Sequence, residues 1–144
     1  MNLKDRLAEL GHTLPEPGAP AANYLHHREG DGLIVIAGQI GTPGRGTGLD
    51  ADALRAEAEI AALKVLAVLN TAVDLGRVQK VLRLGVFIAA GPGFTQHSTV
   101  ADGASDLVVA ALGERGRHAR AAVGVASLPA GAAVEVEALV QVAP

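Results

Sequence analysis

Cysteine is absent from the 144 residues. That removes disulfides, thiolate metal sites and thiol nucleophiles from consideration. Tryptophan is also absent and aromatics make up 2% of the chain. With few rings for stacking and a net charge of −3, the chain lacks the footing of a dedicated nucleic-acid binder, and no nucleic-acid partner is expected. Charge is sparse as well: 19% of residues are charged against 49% hydrophobic, below the usual quarter. So little charge coats a monomer poorly, and an extra buried surface, most simply a subunit interface, is expected. Long apolar runs are missing. The longest uncharged stretch, Leu84 to Ala101, is broken by Gly91-Pro92-Gly93 and by Thr95, Gln96, Ser98 and Thr99, so no membrane span is expected. The opening Met1-Asn2-Leu3-Lys4-Asp5-Arg6 has mixed charge and no apolar run behind it, unlike a signal peptide. A cytoplasmic location is the expectation. No HExxH, Cys/His cluster or carboxylate run with metal spacing appears, and no metal or organic cofactor is expected.

What is present reads as one domain over residues 1–144, with residues 1–18 a short helix and arm packed on it. Leu3, Leu7 and Leu10 recur at helical spacing before Gly11. His12 to Pro20 holds three prolines and reads as a surface arm. Asn23 to His27 is a candidate first strand, Asp31-Gly32 a turn, and Leu33 to Gln39 a β-branched strand. Gly41 to Asp50, with four glycines, reads as a flexible loop, with or without a short strand inside it. Asp50 caps a helix running to about Leu75. A strand over Val78–Ala90, a helix over Ser98–Leu112, and strands over Arg120–Ala126 and Ala133–Val142 follow. The order ββ(β)αβαββ is an α+β layer fold with two helices on one face of a sheet.

The last strand alternates: Val134, Val136, Ala138 and Val140 against Glu135, Glu137, Leu139 and Gln141. In the strand before it, Ala121, Val123 and Val125 share a face opposite Arg120, Ala122, Gly124 and Ala126. If the valine faces pack under the helices, Arg120 joins Glu135 and Glu137 on the far side, at a partly polar pocket under a partner subunit. An arginine among alanines and glycines suits bidentate capture of a carboxylate, or else a structural ion pair with Glu135 or Glu137. Two carboxylates at i, i+2 can divide acid–base work. Tyr24, the only tyrosine, suits either a ligand pocket or an interface. The stretch Gly41-Thr42-Pro43-Gly44-Arg45-Gly46-Thr47-Gly48 lacks the ending of a phosphate loop. Arg115, Arg117, His118 and Arg120 form a local basic cluster at a helix C-terminal end, and Ser105 is placed on the second long helix rather than at a nucleophile elbow.

Tyr24, Ala37-Gly38-Gln39-Ile40, the run from Arg120 to Leu128-Pro129 and Val134-Glu135-Val136-Glu137-Ala138 together resemble the RidA/YjgF family of imine deaminases. With Leu7-Ala-Glu-Leu-Gly11 and Leu14-Pro-Glu-Pro17 ahead of them, they look most like the longer branch labelled endoribonuclease L-PSP/chorismate-mutase-like. The resemblance implies a chorismate-mutase-like fold and a homotrimer with clefts between subunits. It implies hydrolysis of reactive 2-imino or enamine acids to 2-keto acids and ammonia. Arg120 would hold the substrate carboxylate, Glu135 would manage water and nitrogen, and Tyr24, Ala37, Gln39 and Ala122 would line the pocket. The chain departs from better-known deaminases at Ala37, where a hydroxyl residue is frequent, at Ala122, where a cysteine is frequent, and at Gly124 and Ser127. A non-catalytic trimer that binds small carboxylates, as a sensor or chaperone-like module, is the alternative reading; RNA cleavage ranks third.

Overall fold

The computed structural model describes residues 2–46 and 48–144; Met1 and Thr47, the latter in the glycine-rich loop, lie outside the described residues. Helix α1 (Leu3–Glu9) starts where the Asn2 side chain accepts a hydrogen bond from the Asp5 N–H at 2.8 Å. Its Leu3 and Leu7 are fully buried in the same core as the rest of the chain. Strands β1 (His27–Gly30) and β2 (Leu33–Ile40) form a hairpin. Asp31 and Gly32 turn it with φ of 51° and 75°, the left-handed pair that a two-residue hairpin requires. Helix α2 (Ala51–Ala72) is capped by Asp50, whose side chain accepts from the Ala53 N–H at 2.9 Å. Strand β3 (Val78–Ile88), helix α3 (His97–Leu112), strand β4 (Ala119–Gly124) and strand β5 (Val134–Val142) complete the order.

The sheet runs β1-β2-β5-β3-β4. Only β3 and β4 are parallel, joined by the α3 crossover; the other neighbours are antiparallel. Val134, Val136, Val140 and Val142 of β5 are buried under α2 and α3 together with Leu84, Val86 and Ile88 of β3. Helices α2 and α3 meet through small residues. A Cβ on Gly103 would collide with the Arg55 carbonyl of α2. Gly103→Ala is therefore expected to cost about 1–3 kcal/mol through overpacking, even though alanine is the better helix former; urea unfolding of the variant measures it.

Two expectations are corrected. The first strand begins at His27, so Tyr24 sits in the segment ahead of it and is 46% exposed. The second concerns the faces of β4. Leu84 pairs with both Ala138 and Arg120, and Phe87 with both Glu135 and Val123. Register partners share a face. Arg120, Ala122 and Gly124 therefore lie on the helix side of the sheet, and Val123, 46% exposed, lies on the uncovered side with Glu135. Within one chain Arg120 and Glu135 stand on opposite faces. The valine rule fails in β4 because the strand is an edge with small residues on both faces, so alternation gives no sign there. In β5 two carboxylates exclude one face from the core, and the rule holds.

Candidate functional site

The uncovered face of the sheet mixes apolar and charged side chains. Val35, Val123, Phe87, Leu139 and Ile40 stand on it, with Val35 56% exposed. Glu135 lies near the start of β5, the central strand of the sheet. The pairing of β2 with β5 slips between Ile36 and Gln39, a bulge. The bulge sets Gly38 directly against the Glu135 carboxylate, where any Cβ would overlap it. Glycine is required there for close approach. Ala37 falls on the same stretch and is half-buried.

The two carboxylates of β5 have different surroundings. Glu137 accepts a hydrogen bond from Arg83 Nη1 at 3.2 Å, both side chains being 43% exposed. Glu135 has no cation or hydrogen-bond donor among the described residues. Burial first, and the charge of Glu137 second, raise its pKa above the ordinary carboxylate value. The folded chain thus holds this proton more firmly than the unfolded chain does. The resulting contribution to stability is complete below the ordinary carboxylate pKa and is lost as pH rises through the raised one. Glu135→Gln is expected to raise the thermal midpoint at neutral pH, with the gain vanishing in acid. Melting curves across pH measure this, and identical midpoints at every pH would contradict it.

The loop leaving β2 beside this carboxylate is pinned rather than free at its start. Glu57 of α2 is 4% exposed. Its Oε1 accepts from the Thr42 N–H at 2.6 Å and its Oε2 from the Thr42 hydroxyl at 3.1 Å. Lys64 Nζ donates to the Gly41 carbonyl at 3.2 Å. These bonds fix the end of β2, where Ile40 pairs with Glu135.

The other expected pocket residues are dispersed. Gln39 donates to the Ala37 carbonyl at 3.0 Å and lies 3.4 Å from His26 Nδ1. It faces a recess shared with Lys64 and Ala67 on the helix side. Tyr24 packs edge-on to His26 with ring centroids 6.4 Å apart. Ala122 packs on the core from the helix side.

Arg120 has partners that the sequence reading missed. Its Nη1 donates to Asp102 Oδ1 at 2.9 Å and to Ser105 Oγ at 3.0 Å, and Nη2 reaches the Ser98 carbonyl at 3.4 Å. The ion pair is therefore with Asp102 of α3, not with either glutamate. The side chain is 20% exposed and borders a cleft of about 530 Å³ with Ser105, Val109, Ala110, Arg117 and His118. Ser98, Asp102, Ser105 and Val109 do fall on one helical stripe, opposite the buried Val100 and Leu107, but the stripe alone does not say which strand it covers. A second cleft, of about 630 Å³, opens where β4 ends, between Gly46, Ala90, Pro92, Phe94, His97 and Gly124. Among the described residues no three His, Asp or Glu side chains gather as a metal site, and no helix is long and apolar enough to cross a membrane.

The family model described as Endoribonuclease L-PSP matches residues 15–142. Protein TCP17 of Trypanosoma cruzi is 43% identical over 145 residues, covering 94% of this chain and 91% of that one. The crystal structure of Atu1372, a protein of unknown function from Agrobacterium tumefaciens, superposes with a TM-score of 0.87 at 38% identity, covering 98% of this chain and 92% of that one. The E. coli TdcF structure with bound serine shares the fold, with a TM-score of 0.62 at 22% identity, over 90% of this chain and 95% of that one.

Proposed function

The chain belongs to the endoribonuclease L-PSP family, also called RidA/YjgF, and on that premise we propose that it hydrolyses 2-imino and enamine acids to 2-keto acids and ammonia, at a seam between copies of itself. The observation that carries the reading is Glu135: a half-buried carboxylate, its pKa raised, near the start of the central strand, on the face that carries the exposed Val35 and Val123, with no cation beside it and no element over that face among the described residues. An apolar face of this kind suits a second subunit, and a homotrimer closes such an interface on itself.

In the proposed reaction the Glu135 carboxylate takes a proton from water as the water oxygen attacks the iminium carbon, giving a carbinolamine. The carboxyl then passes that proton to nitrogen. The C–N bond breaks, and as the carbonyl forms the hydroxyl proton passes by way of Glu135 to the departing ammonia, which leaves as ammonium, so that the carboxylate is regenerated. A carboxyl with a raised pKa serves both transfers better than an ordinary one. Because Arg120 faces the opposite side of its own sheet, it is assigned to the Glu135 site of a neighbouring copy. Its position on the edge strand β4 supports that assignment. Nη1 is taken by Asp102 and Ser105, which leaves the Nε–Nη2 edge, a fork that matches a carboxylate. The test is ammonia and keto-acid release from imines made in place by an amino-acid oxidase, at rates above the spontaneous hydrolysis.

A carboxylate-binding trimer without turnover is the second reading. Ala37 and Ala122 favour it, since both put a methyl group where the resemblance leads one to expect a hydroxyl or a thiol. Saturable keto-acid binding with no acceleration of imine hydrolysis would select it.

A further inference from the structure

We propose that Ser105 and His118 are positioning residues that set the direction in which Arg120 presents its guanidinium, a role that rests on Arg120 being the carboxylate anchor. The chain of contacts has only one consistent assignment of protons when the imidazole is neutral. The Gly116 carbonyl can only accept, and it lies 2.6 Å from His118 Nδ1, so Nδ1 carries the ring proton. His118 Nε2 is then an acceptor. It lies 2.8 Å from Ser105 Oγ, so the serine hydroxyl donates to it. That leaves the Oγ lone pairs for Arg120 Nη1 at 3.0 Å, and the other Nη1 proton goes to Asp102 at 2.9 Å.

Both protons of Nη1 are thereby committed to α3. Nη2 makes one long contact, 3.4 Å to the Ser98 carbonyl, and Nε has no hydrogen-bond partner among the described residues. The guanidinium is planar, so fixing Nη1 at two points fixes the orientation of its Nε–Nη2 edge as well. Asp102 alone would hold the group at one point and let the plane turn. The hydroxyl of Ser105, itself oriented by His118, supplies the second point.

The effect belongs on carboxylate affinity. The Kd for pyruvate, read by titration calorimetry on the full chain, is expected to rise roughly five- to tenfold in Ser105→Ala and to a similar degree in His118→Ala. Ser105→Thr, which keeps the hydroxyl, is expected to bind within about twofold of the parent. In the Arg120→Ala background, Ser105→Ala is expected to change nothing further, because there is no guanidinium left to orient; a purely structural serine would cost the same in both backgrounds. Arg120→Ala weakening pyruvate while Ser105→Ala does not, or equal losses from Ser105→Ala in both backgrounds, would overturn the positioning role alone. Pyruvate binding that survives Arg120→Ala intact would overturn the anchor and the positioning role together.

Discussion

Glu135→Gln is expected to lower turnover of imino acids by roughly 10²–10⁴-fold while leaving keto-acid affinity nearly unchanged. The amide keeps the shape of the carboxyl against Gly38, where the two groups touch, but it can neither accept a proton from water nor return one. The neighbouring Glu137 is a poor substitute: its register partner is Gly85 rather than Phe87, and Arg83 already neutralises it at 3.2 Å. Ammonia release from oxidase-generated imines measures the turnover and pyruvate titration measures the affinity. A variant that loses both would place Glu135 in binding rather than in proton transfer.

Arg120→Ala is expected to act in the complementary way, weakening carboxylate binding by roughly ten- to a hundredfold, the usual worth of a charge-assisted hydrogen-bonded pair. The loss should appear in KM more than in kcat, since the guanidinium holds the end of the substrate remote from the carbon under attack. The variant also strands Asp102, which at 48% exposure has water to turn to, so folding should survive. Steady-state kinetics with imines of several side chains measure the split, and an effect confined to kcat would contradict the anchoring role.

The sequence carried the elements well where a physical constraint acted at a single residue. Asp50 capped the long helix, Asp31-Gly32 turned the hairpin, and the glutamates of β5 could face only away from the core. It carried Glu135 as a candidate for the same reason, because a strand whose other face is all valine and alanine leaves a carboxylate one direction. The direction of Arg120 was not legible. Its face depends on how α3 lies over β4, and the residues that hold it, Asp102 and Ser105, are 18 and 15 positions away. Nor was the closeness of Gly38 to Glu135 readable, since it arises from a slip in strand pairing that neither strand announces alone. Nothing in the run Asn23 to His27 marks where a first strand starts; pairing begins only at His27, with the His26 carbonyl accepting from the Ala37 N–H at 2.8 Å at its threshold.

The separation of Arg120 and Glu135 across one sheet makes the central claim a statement about two chains. Arg120→Ala and Glu135→Gln chains, each impaired when assayed at substrate concentrations below the parent KM, can be co-expressed with different tags and isolated as mixed assemblies. If one subunit supplies the arginine and its neighbour the glutamate, random mixing in a closed ring restores both groups at about one quarter of the sites, and imine hydrolysis returns in that proportion. Mixed assemblies no more active than the two single-variant proteins under the same conditions would contradict the account.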